Sequence, residues 1–163
     1  MKPKVYIETT IPSYLAARPS RDLLIAAHQQ VTHDWWERRR ANFELYTSDL
    51  VIREASAGDP ELARARREFL AGIRQLRSNE AIVDLTEYLI IRGPFPGKAK
   101  ADAAHIAIAT VYACEYLLTW NCRHIANAEL QRRVRRITEG YGYFLPVMCT
   151  PEELLGETRD VER

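Results

Sequence analysis

The sequence predicts an α/β fold, with one central, mostly parallel sheet of five strands and helices on both of its faces. Three observations predict it. Short β-branched or aromatic runs alternate with longer segments of helical period, the pattern of repeated strand–helix units. Capping residues and prolines stand where helices would open. The length of 163 residues suits one domain with a core of ordinary size.

The first strand is Lys4 to Ile7, a short β-branched and aromatic run closed by Glu8, Thr9 and Thr10. Pro12 fits the first turn of a helix. Ser20 is read as the cap of a long helix from Arg21 to Arg40, with Leu23, Leu24, Ala27, Val31 and Trp35 spaced three or four apart as its apolar stripe. Phe43 to Thr47 is the second strand, and Ser48 or Asp49 can cap the helix that carries Glu54. Asp59-Pro60 opens a helix expected to run to Leu76. Ala81 to Leu85 is read as the third strand, with Asp84 near its end and Thr86 capping a short helix behind it.

Gly93 to Gly97 is a loop rich in Pro and Gly. The next stretch, KAKADAAHIAIATVYACEYLLTWNCRHIAN from Lys98 to Asn127, reads as a helix, a turn and a buried strand at Tyr116 to Thr119. Asp102 falls in the first turns of that helix and Asn121 just past the strand. A charged helix spans roughly Ala128 to Arg136, Gly140 and Gly142 frame a turn, and Leu145 to Cys149 is the last strand. Thr150-Pro151 opens one more helix. The domain therefore covers residues 1–156, and 157–163 form a polar tail. No repeat or internal boundary breaks the chain.

Composition narrows the classes of function. Hydrophobic residues make up 47% of the chain and the net charge is +1, so any nucleic-acid contact must rest on local patches. The arginine runs at 38–40, 64–67 and 132–136 are read as solvated faces or phosphate contacts. Three cysteines with no C-x-x-C pair form neither a disulfide framework nor a zinc pattern. The N-terminus lacks a signal-peptide apolar region and no uncharged run reaches membrane-spanning length, so a reducing cytoplasm is expected.

Ligands of open α/β sheets bind beyond the carboxyl ends of the strands. If the first and fourth strands are neighbours, Glu8, Glu54, Asp102 and Asn121 converge there. Close carboxylates repel unless a hard cation such as Mg²⁺ or Mn²⁺ neutralises them, and such an ion activates water and stabilises charge on phosphoryl oxygens. Asp49 is the rival acid to Glu54, with a capping role open to it. His105, one turn after Asp102, is read either as a core histidine or as a partner of carboxylate or phosphate. His124 is a candidate substrate contact. A Cys122–His124 nucleophile needs a geometry that sequence does not show.

At these residues the chain resembles the PIN-domain family, in particular VapC-type toxin ribonucleases. The matching stretches are VYIETTIPSYL, SDLVIREAS, KADAAHIAIA, LLTWNCRHIAN and PVMCTPEELL, in family order across nearly the whole chain. The resemblance implies a single PIN-like domain and divalent-metal-dependent cleavage of RNA. It also implies a small antitoxin that blocks the toxin. The four family acids fall on Glu8, Glu54, Asp102 and Asn121, as catalytic residues and metal ligands. Glu8 stands where Asp is usual and Asn121 where Asp is common. Thr119 matches the hydroxyl residue often found two positions before the fourth acid. Thr9, Thr119, His105 and His124 are the candidate substrate contacts. Trp35-Trp36 is read first as core or interface; on a long helix, and with the oligomeric habit of the family, it implies a homodimer.

Two other readings stay open. One is a degenerate PIN module that binds RNA or protein without cutting. The other is a metal-dependent phosphatase or nucleotide-binding domain, against which stands the lack of a Gly-rich phosphate loop.

Overall fold

The computed structural model describes residues 1–156; the tail expected at 157–163 lies outside them. Strands β1 (Lys4–Ile7), β2 (Glu44–Ser48), β3 (Arg74–Leu76), β4 (Tyr116–Leu118) and β5 (Val147–Cys149) form one sheet in the order β3-β2-β1-β4-β5. Every pairing in it is parallel. The helices are α1 (Thr10–Ala16), α2 (Leu23–Arg38), α3 (Asp49–Ala55), α4 (Pro60–Leu70), α5 (Glu80–Arg92), α6 (Lys100–Val111) and α7 (Ala128–Gly140).

The strand order reverses direction between β1 and β4. β1 steps outward to β2 and β3 on one side, and β4 steps outward to β5 on the other. In a doubly wound sheet that reversal opens a crevice at the carboxyl ends of the two central strands. The register pairs Tyr6 with Leu117 and Ile7 with Leu118, so Glu8 and Thr119 emerge side by side.

β1 lies at the centre, and Val5, Tyr6 and Ile7 are fully buried, as are Leu117 and Leu118 of β4. A central parallel strand is covered on both faces and so reads as an unbroken apolar run. α6 packs Ala103, Ile106, Ala107 and Ala109 into the same core with no exposure. Each large aliphatic side chain buried there contributes about 1.5–3 kcal/mol. Together they hold the strand ends that carry the polar residues.

Several expectations fail. Ala81–Leu85 is not a strand. It lies inside α5, which Asn79 caps by accepting from the Ile82 N–H at 3.0 Å. Ile82, Leu85 and Leu89 are buried at helical spacing, while Asp84 is exposed. Thr86 is therefore a mid-helix residue whose hydroxyl donates to the Ile82 carbonyl. The third strand is instead Arg74–Leu76, paired only with β2, and two of its three residues are exposed. The helix from Pro60 stops at Leu70, and Gly72 follows at φ +80°. Only glycine takes that left-handed turn without strain.

The long helix is Leu23–Arg38, capped by Asp22 rather than Ser20. Its buried residues are Gln29, Thr32, Trp35 and Trp36, whereas Leu23 and Leu24 are 87% and 66% exposed. The expected apolar stripe therefore faces outward over the first turns. Of the two readings of the tandem tryptophans the core one holds: Trp35 stacks on Phe43, Trp36 meets Phe69 edge-on, and both are buried, so they offer no dimer surface. Pro151–Leu155 forms turns rather than a helix, with the Thr150 N–H and hydroxyl held by Glu153. The last strand begins at Val147, not Leu145. Among the described residues no helix is long and apolar enough to cross a membrane.

Candidate metal centre

Glu8 leaves β1 at the sheet's carboxyl edge and is 5% exposed. Its Oε2 is saturated by three donors: the Thr10 N–H at 3.1 Å, the Thr10 hydroxyl at 2.5 Å and the Thr119 hydroxyl at 2.7 Å. Its Oε1 receives no donor among the described residues; His105 Nε2 stands 4.0 Å from it. Both threonine hydroxyls have a second task. Thr10 Oγ1 accepts from the Trp120 N–H and Thr119 Oγ1 from the Asn121 N–H. β1 and the segment after β4 are thus laced together through one carboxylate oxygen.

Glu54 comes in from α3, whose N-terminus is set by Ser48 accepting from the Val51 N–H. Asp49, the rival acid, caps nothing beyond its neighbour Leu50. Glu54 Oε1 accepts the Thr9 hydroxyl at 2.6 Å and lies 2.6 Å from His105 Nε2. An ionised carboxylate only accepts, so His105 Nε2–H is the donor. The other ring nitrogen, Nδ1, lies 2.7 Å from the Tyr6 hydroxyl, which in turn lies 2.8 Å from Ser48 Oγ. Tyr6 can donate to Nδ1 while accepting from Ser48. The resulting chain Ser48–Tyr6–His105–Glu54 runs from the core to the sheet edge. Burial pushes the Tyr6 phenol well above its ordinary value, so it stays protonated.

The Glu54 carboxyl is pulled two ways. Burial raises it, while the hydrogen bond and charge of His105, the Thr9 hydroxyl and Arg53 lower it, and the net shift is downward. A carboxyl with a depressed folded-state value contributes stability above its unfolded value of 4.5 and loses it as pH falls through the lower folded value. In a chelating buffer, the melting-temperature gap between the wild type and Glu54→Gln is expected to shrink steadily on acidification below about pH 4.5. A gap that stays constant down to pH 3 would show that His105 and Thr9 do not favour the ionised form.

Asp102, on the first turn of α6, is held in a second group. Its Oδ1 accepts from Asn121 Nδ2 at 3.0 Å and its Oδ2 from His124 Nδ1 at 2.9 Å. Asn121 Oδ1 in turn accepts the His124 N–H at 3.0 Å, closing a small ring of polar contacts. Thr119 joins the two groups, bonded to Glu8 on one side and to Asn121 on the other.

All four residues expected at the site are thus brought to one edge of the sheet, as two pairs. Among the described residues, Glu8, Glu54 and His105 have ligand atoms within 4.8 Å of one another, and Asp102 is not in that set. Two carboxylates each have one oxygen pinned by hydroxyls and one left without a donor, a donor set that fits a divalent cation. His105 shares both of its open readings: it is 1% exposed, and it holds Glu54. Thr119 is fully buried, with its hydroxyl engaged by Glu8 and Asn121.

Sequence reading missed Tyr6 and Ser48, whose roles come from contacts 99 and 42 residues apart in sequence. Thr10 was legible as one of two hydroxyls directly after Glu8. Cys122 makes no nucleophilic pair, since His124 is engaged by Asp102 and partial burial raises the thiol.

Fold and site define a doubly wound, all-parallel α/β domain with an acidic group at its switch point. The chain is similar to a chain of VapBC2 from Rickettsia felis, solved bound to a DNA fragment from their promoter. That likeness has a TM-score of 0.57 at 13% identity and covers 90% of this chain and 98% of the other. At that identity it speaks to fold alone. No family model and no curated protein matches the sequence.

Proposed function

We propose that this protein is a divalent-metal-dependent endoribonuclease and the toxin partner of a small antitoxin protein. The observation that carries the reading is the group of Glu8, Glu54 and His105 at the switch point, with ligand atoms within 4.8 Å of one another and, among the described residues, one oxygen of each carboxylate left without a donor. Mg²⁺ or Mn²⁺ held there would lower the pKa of water and neutralise charge on phosphoryl oxygens. Glu8 and Glu54 would supply its ligands, with His105 orienting Glu54. Asp102 and Asn121, bonded to each other, would bind and orient the attacked phosphate's surroundings, with His124 beside them. The antitoxin partner and the cytoplasmic setting rest on the PIN-like fold and on the complex its structural neighbour forms.

The test is Mn²⁺ titration read by thermal shift, together with an RNA cleavage assay. Metal stabilisation with cleavage supports the reading, and the absence of both removes it. A second reading is favoured by one specific observation. Both oxygens of Asp102 are already engaged by protein donors, which leaves it no free oxygen for an ion and favours a module that binds without cutting. Stabilisation without cleavage would support that degenerate binding module.

Asn121→Asp separates the two roles of that position. It puts a carboxylate where an amide now donates to Asp102 at 3.0 Å, so the metal-free protein is expected to melt slightly lower and Mn²⁺ to bind more tightly. Calorimetric titration and melting in a chelator check both signs. Unchanged affinity would place Asn121 outside any ion's reach.

A further inference from the structure

Beside the acidic edge lies an aromatic group that the proposed chemistry does not use. Trp120 follows Thr119 directly, and its backbone N–H is held by the same Thr10 hydroxyl that bonds Glu8. Its indole lies nearly parallel to the His28 ring, with centroids 4.1 Å apart and planes 17° apart. Tyr14 of α1 completes the group at 5.8 Å from Trp120 and 6.4 Å from His28. The Trp120 Nε1–H donates to Thr32 Oγ1 at 2.7 Å, which locks the plane of the indole.

Three elements therefore converge to hold these rings, yet Tyr14, His28 and Trp120 are only half-buried. The surface past them carries exposed apolar side chains and a cation. Leu24 and Ile25, one helical turn before His28, are 66% and 42% exposed. Arg123, three residues after Trp120, is exposed, with no ion pair among the described residues.

We propose that Tyr14, His28 and Trp120 form a shelf on which an unpaired base of single-stranded RNA stacks, placing the adjoining phosphate at the Glu8–Glu54 edge. Unstacked bases are the part of RNA that aromatic side chains recognise, and every base offers a π-face. The shelf sets position rather than chemistry. Thr10, bonded to both Glu8 and the Trp120 backbone N–H, ties the shelf to the acids. The proposal rests on the reading of the protein as an RNA-cleaving enzyme, and its readout is kept apart from cleavage.

The experiment uses a short single-stranded oligoribonucleotide carrying one 2-aminopurine, at low salt with Ca²⁺ present. Stacking is read as quenching of the aminopurine, and cleavage is followed separately with Mn²⁺. The wild type is expected to quench the probe, and to leave the same probe unquenched within a duplex. Tyr14→Ala and His28→Ala are expected to weaken binding about tenfold and abolish quenching, since stacking on one aromatic side chain is worth that much or more. Tyr14→Phe and His28→Phe, which keep the rings, should restore both. Equal binding and quenching by the alanine variants overturns the shelf and assigns the cluster to packing or to a protein partner. So does a wild type that never quenches, even if it cleaves RNA. Quenching without cleavage would keep the shelf and remove only the nuclease reading.

Discussion

Glu8→Gln is expected to lower metal-dependent RNA cleavage by a factor on the order of 10³ while the protein stays folded. The size follows from losing one of two charged ligands, because the cation contributes several kcal/mol of charge stabilisation in the transition state and each 1.36 kcal/mol is tenfold in rate. The retained fold follows from the geometry. A Gln amide oxygen in place of Oε2 still accepts from Thr10 and Thr119, so the link between β1 and the β4 end survives. Only the donor-free Oε1 is replaced by an amide nitrogen, which cannot ligate a cation. Removing one negative charge beside Glu54 should also leave the metal-free protein as stable as the wild type or slightly more so. Calorimetric Mn²⁺ binding, a cleavage time course and melting in a chelator test the three parts. Full activity in Glu8→Gln would mean that the reacting phosphate lies elsewhere, with the Asp102 group as the remaining candidate.

Tyr6→Phe carries the second large effect. The Tyr6 ring is fully buried in the central strand, so the substitution leaves no cavity and removes one hydroxyl. That hydroxyl bridges Ser48 and His105 Nδ1, and both would be left without it. An unsatisfied buried polar group costs about 1–3 kcal/mol, which for a chain of this size lowers the melting temperature by about 2–4 °C per kcal/mol. The functional consequence should exceed what stability alone explains. His105 would lose the partner that fixes its tautomer, and with it the donor that holds Glu54 at 2.6 Å. Weaker Mn²⁺ binding in a variant that is still fully folded at the assay temperature is the expected signature. A variant that melts lower but binds Mn²⁺ as the wild type does would confine Tyr6 to the core.

What the sequence determined by itself was the alternation of elements and the placing of polar residues at their ends. β1 and β4 were readable because a central parallel strand is apolar along its whole length, and Val5–Ile7 and Tyr116–Leu118 have that character. Glu8, Asp102 and Asn121 were readable as candidates because each stands where a strand ends or a helix begins, and Glu54 because it lies on the short helix entered directly from β2. Two local signals in the chain are outweighed by a stronger-looking pattern. Gly72 marked the end of α4, and Asn79 with Glu80 marked the start of α5, yet the β-branched run at 81–85 suggested a strand.

The tertiary structure alone decided the rest. β3 is three residues at a sheet edge, two of them exposed, and its identity comes from pairing with β2 rather than from any pattern of its own. The face of α2 that is buried is set by what packs on it, so Gln29 and Thr32 go inward while Leu23 and Leu24 stay out. The division of the polar residues into a Glu8–Glu54–His105 group and an Asp102–Asn121–His124 group has the same origin. Hydrogen bonds between residues 19 and 51 positions apart, Asp102 to Asn121 and Glu54 to His105, join side chains on separate elements that the sheet order brings to one edge. Local sequence specifies which groups stand at the strand ends, and the long-range pairing specifies which of them touch.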